Sequence, residues 1–197
     1  MIPQAKKWLL AVVAGAAIGV AVALPFVKPA AATAPVQIDL VESNESENVQ
    51  LSYQTPVEAA LDDYIANRTF TIDGETRKVL FMHPPSSASF SLLLPRAAAL
   101  RFGIAIQPEA WSKPGDGVDF QVSVNHWNQE AKRTQEEVIF ARYIDPKHDP
   151  SVRHWVDAAL DLSRLAGGYV TLVFSTSPHA SPDYDWAGWS GMQVVGR

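Results

Sequence analysis

The chain has 197 residues, a net charge of −5 and no cysteine. Without thiols it has no disulfide framework, cysteine nucleophile or cysteine-ligated metal. Its acidic balance, with no basic stripe, excludes nucleic acid as a partner.

Residues 8–27 carry no charged side chain. About 20 residues at ~1.5 Å each span the ~30 Å hydrocarbon core of a bilayer. Lys6 and Lys7 precede the run and Lys28 follows it. The positive-inside bias then predicts a cytoplasmic amino terminus and a periplasmic or extracellular domain. The competing reading is a secretory leader cleaved after Ala30-Ala31-Ala32. The run exceeds the ~7–15 residues of a signal core, so a retained single-pass anchor in the lipid bilayer is expected. Ala11, Gly15, Gly19 and Ala23 recur every fourth residue, giving a small-residue face for close packing against a neighbouring membrane helix. Residues 1–28 are thus read as a cytoplasmic stub and transmembrane helix, 29–50 as a linker and 51–197 as the extracytoplasmic domain. About 165 residues beyond the anchor suffice for one full core and not for two.

Within the linker, 29–35 is rich in Pro and Ala and 42–48 is acidic and polar. Thr55, Pro56 and Glu58 form a capping-box start for a short helix, with Val57, Leu61 and Tyr64/Ile65 as its apolar face. From Arg77 the hydrophobic period falls to two. Strands are predicted over 79–83, 89–94, 100–107, 118–125, 138–144, 170–175 and 192–195, punctuated by Pro and Gly. Short alternating strands indicate antiparallel sheets with one buried face. This many on one chain must stack in two layers, so the fold class is an all-β sandwich or jelly roll with a short extra helix.

Several stretches follow a familiar order: Leu94-Pro95, Leu100-Arg101-Phe102-Gly103-Ile104 and Gly115-Asp116-Gly117-Val118-Asp119-Phe120. Arg153-His154-Trp155-Val156-Asp157, Asp161-Leu162-Ser163-Arg164, Val170-Thr171-Leu172-Val173-Phe174 and Asp185-Trp186-Ala187-Gly188-Trp189 continue it. Over roughly 77–195 this resembles the galactose-binding-like jelly rolls used as carbohydrate-binding modules. The resemblance implies a sandwich that binds sugar through loops at one end and often carries a structural calcium. No acidic calcium loop matches here, and neither cofactor nor metal is expected.

Trp127 shares the parity of Asp119, Gln121, Ser123 and Asn125, which puts it on the polar face of its strand as a contact for a partner or glycan. Asp183, Asp185, Trp186 and Trp189 are further contact candidates in an end loop, although indoles such as Trp111, Trp155, Trp186 and Trp189 also serve as core filler. His148 and His154, near Asp145, Asp149 and Asp157, read as a solvated loop. No Gly-x-Ser-x-Gly elbow, phosphate loop or separated carboxylate pair appears, so no enzyme is expected. The first functional expectation is a non-catalytic accessory subunit of a membrane complex, packed on membrane-protein partners. The alternative is a surface carbohydrate-binding module.

Overall fold

The computed structural model describes residues 36–41, 49–56 and 61–196. The stretch 8–27, with its Ala11, Gly15, Gly19 and Ala23 face, lies outside the described residues, as do residues 57–60 of the expected helix. Among the described residues no helix is long and apolar enough to cross a membrane.

The strands are β1 (Val36–Asp39), β2 (Val49–Gln54), β3 (Ile65–Ile72), β4 (Glu75–Met82), β5 (Ser86–Leu93) and β6 (Ala99–Ile106). They continue as β7 (Val118–Asn128), β8 (Arg133–Ile144), β9 (Val156–Asp161), β10 (Tyr169–Pro178) and β11 (Ala187–Gly196). One helical turn, α1 (Leu61–Tyr64), precedes β3. Six strands form one sheet in the order β3-β4-β11-β6-β9, with β1 also beside β11; five form the other in the order β2-β5-β10-β7-β8. The described strand pairs are all antiparallel.

Alternation explains where the core sits. Ala88, Phe90 and Leu92 on β5, Leu172 and Phe174 on β10, and Phe120, Val122 and Val124 on β7 face inward and are buried. They meet Leu100, Phe102 and Ile104 of β6 and Trp189 of β11 from the opposite sheet. Trp189 is the hub. Its ring lies 5.4, 5.2 and 5.1 Å from those of Phe102, Phe120 and Phe174, in tilted or edge-on arrangements that suit aromatic quadrupoles.

Three features depart from the sequence expectation. β1 lies inside 29–50, where a linker is expected, because its backbone pairs with β11 from Val36↔Gly196 to Asp39↔Gln193. The described helix is a single turn, and Ile65, assigned above to its apolar face, begins β3 instead. A second apolar cluster of Phe70, Ile72, Val79, Phe81, Ala105 and Trp155 lies outside the main core. β4 can therefore bury the consecutive run Val79-Leu80-Phe81-Met82, which belongs to both clusters in turn.

Candidate functional site

The end-loop candidates separate by burial. Trp189 is fully enclosed in the core and Asp185 is only 1% exposed, so neither can contact a partner. Trp186 packs partly buried against both clusters, while Asp183 remains exposed. This correction has a simple cause: Ala187 to Trp189 continue β11 into the sandwich, although flanking glycines make the stretch read as a turn.

Around Asp185 the loop before β11 meets the loop before β7. Asp116 Oδ2 accepts hydrogen bonds from the backbone N–H of Ala180 (3.0 Å) and Ser181 (3.1 Å). Asp116 Oδ1 and Asp185 Oδ2 are buried without a hydrogen-bond partner. Burial, then the charges of Asp116, Asp183 and Asp145, push the Asp185 carboxyl up to about 7. Tyr143 donates its hydroxyl to the Asp116 carbonyl, and burial with nearby Asp145 pushes the phenol up to about 12. This cluster fastens two loops together and is closed to solvent at Asp185. His148 is engaged locally, its Nδ1 lying 2.6 Å from Asp145 Oδ2. No group of three or more His, Asp or Glu among the described residues is arranged to hold a metal ion.

Trp127 behaves differently. It is 52% exposed near the end of β7, opposite Thr134 of β8. On the other side of β7 the ladder pairs His126 with Val170, so the next step places Trp127 opposite Tyr169. Tyr169 in turn pairs with Leu93 of β5. Trp127, Tyr169 and Leu93 (52%, 79% and 47% exposed) thus form a row across three neighbouring strands. Sequence reasoning found Trp127 by parity and missed the other two, because periodicity carries no cross-strand register.

Below the row the outer face is polar. Asn125, Thr171 and Ser91 occupy the next rung, with Ser91 Oγ 2.7 Å from Thr171 Oγ1. The outward positions of β5 and β10 are Ser87, Ser89, Ser91, Thr171, Val173, Ser175 and Ser177, none of them charged. The charges on this face, Asp119 and Glu136, sit on β7 and β8, where Ser123 donates to Glu136 Oε1 at 2.8 Å. From Trp127 back to Asp119 the face runs about 27 Å at ~3.4 Å per residue, and five strands make it about 19 Å wide. The arrangement pairs an exposed row of two aromatic rings and a leucine with a floor of hydroxyls that can donate or accept.

No family model matches the chain. An uncharacterized protein of Archaeoglobus fulgidus is 42% identical over 132 residues, 62% of this chain and 32% of the relative. The chain therefore spans about a third of that relative's length. Among solved structures, CBM51 from Clostridium perfringens GH95, in complex with methyl-galactose, has a TM-score of 0.49 at 14% identity, covering 81% of this chain and 99% of the module. The C-terminal family 22 carbohydrate-binding module of Clostridium thermocellum Xyn10B has a TM-score of 0.45 at 9% identity, covering 74% and 85%. The CBM22-1 xylan-binding domain of Paenibacillus barcinonensis Xyn10C scores 0.43 at 11% identity, covering 74% and 83%.

Proposed function

We propose that the domain is a non-catalytic glycan-binding module that seats an uncharged saccharide chain on the outer face of the five-stranded sheet. The observation that carries this reading is the exposed row of Trp127, Tyr169 and Leu93 at the head of a hydroxyl-lined face. An aromatic ring offers a flat apolar surface to the C–H face of a pyranose, and Ser and Thr side chains pair with ring hydroxyls. An exposed apolar row rimmed by polar residues marks a contact surface. The same row would also suit a protein partner, as the accessory-subunit reading requires, but the long uncharged hydroxyl floor behind it favours sugar.

The test is binding of the full-length chain to neutral polysaccharides by affinity electrophoresis and glycan array. Trp127→Ala and Tyr169→Ala should each weaken binding about tenfold or more, with the thermal midpoint unchanged, since both side chains are exposed. Variants that bind as the wild type does would overturn the reading. Loss of a stoichiometric protein partner, with no glycan bound by the wild type, would return the row to the accessory-subunit alternative.

The module's tether belongs to the same proposal. The uncharged run 8–27 supports retention in a membrane with the domain on the far side. Sequencing of the mature amino terminus tests it, and a start near Thr33 would refute it.

A further inference from the structure

On the six-stranded sheet, β11 changes partners along its length. Residues 188–190 pair with β4, and residues 193–196 pair with β1. Between them Gly191, at φ +56°, and Met192 interrupt the register with β6. A groove of about 1130 Å³ opens at this break, walled by residues of β1, β3, β4, β6 and β9. A Cβ added to Gly191 would meet nothing within 4 Å.

The groove carries Arg68, Arg77, Lys78 and Arg101 against Asp39 and Asp157, a cationic surplus in a chain of net charge −5. Arg77 is already engaged, with Nε 2.7 Å from Glu75 Oε1 and Nη1 2.5 Å from Asp157 Oδ1. Arg68 lies 3.6 Å from the centroid of the Phe81 ring, a stacking that leaves the edge of its guanidinium available. Arg101 is exposed and forms no ion pair or hydrogen bond among the described residues. Its neighbours across the two adjoining strands are Ala159 and Gln193, neither of which carries a charge.

A guanidinium fork without a partner is matched by a carboxylate in two parallel hydrogen bonds. The amides of the central strands are largely committed to their ladders, so an extended peptide lying on this floor finds few main-chain partners. Asn67 and Thr69, exposed on the outermost strand β3, instead offer an amide and a hydroxyl at the rim of the groove, of the kind that ring hydroxyls require. We propose that this groove binds an acidic glycan, with Arg101 and Arg68 receiving the carboxylates of its uronate units. The inference rests on the reading of the domain as a glycan-binding module and adds a second ligand class on the opposite sheet.

The test is calorimetric titration of the full-length chain with oligogalacturonate, with neutral galacto-oligosaccharide and dextran sulfate as comparisons. Oligogalacturonate should bind, more weakly as salt rises. Arg101→Gln should lower its affinity at least tenfold. Ala159→Glu should do the same by occupying Arg101 from the adjacent strand, a change at an exposed position that keeps the fold. Trp127→Ala should leave oligogalacturonate binding unchanged. The inference is overturned if the wild type does not bind oligogalacturonate, if both groove variants bind like the wild type, or if dextran sulfate binds equally well with and without Arg101. Should Trp127→Ala retain neutral-glycan binding while Arg101→Gln loses oligogalacturonate, the sheet-face reading fails and the groove stands.

Discussion

Asp185 is the residue whose setting most constrains the solution behaviour of the domain. Its carboxyl is held at about 7 by burial and by the neighbouring charges of Asp116, Asp183 and Asp145, against 3.8 ordinarily. The folded chain therefore holds a proton that the unfolded chain has lost between about pH 4 and 7. Linkage gives the sign: this group's contribution to stability is full below pH 4, falls as pH rises through the window, and settles at its lowest value above 7. Asp185→Asn fixes the neutral form. It should flatten that part of the stability profile and raise the thermal midpoint at pH 8, by about 2–4 °C for each kcal/mol recovered. A variant with the wild-type slope between pH 4 and 7 would place the proton elsewhere. The sequence showed only a carboxylate in a turn, because the depth of a loop against its neighbours is set by tertiary packing.

At the scale of elements, Gly103 shows how β6 accommodates what lies above it. A Cβ there would stand 2.6–2.7 Å from Asp157 Oδ1, Arg77 Nη1 and Ser190 Oγ. The glycine lets the Arg77–Asp157 pair, which links β4 to β9 above β6, lie flat on the sheet. Gly103→Ala should lift that pair and cost about 1–3 kcal/mol in urea unfolding. An unchanged midpoint would mean that the overlying side chains shift freely. Strands with one wet face were legible in the sequence: β5, β7 and β10 alternate because one side meets the core and the other meets water. β3 was not, because Phe70 and Ile72 are buried in the outer cluster while Ile65 belongs to the main core, which erases the period. The Asp73-Gly74 turn, with both residues at positive φ between Ile72 and Glu75, is the local signal that would have found this hairpin. β11 was legible only beyond its irregularity at Gly191, since its earlier glycines serve close packing, Gly188 lying directly under Phe70.

For the whole molecule, the two sheets present outer surfaces of different chemistry. One carries the exposed row of Trp127, Tyr169 and Leu93 and uncharged hydroxyls along β5 and β10; the other carries a groove with a surplus of guanidinium groups. They lie on opposite sides of a core in which Trp189 touches aromatic rings from both sheets. Ligands of the two surfaces should bind without competition. Saturation with a neutral oligosaccharide should leave the oligogalacturonate affinity within about twofold, since coupling would need a two-state element that both sites bias. Mutual exclusion in the calorimeter would place both ligands on one surface.

Val36 and Gly196 face each other across the β1–β11 ladder. The polypeptide thus arrives at the sandwich and departs from it at one shared doorway. A unit with such neighbouring ends can be spliced into a surface loop of a host protein without stretching either.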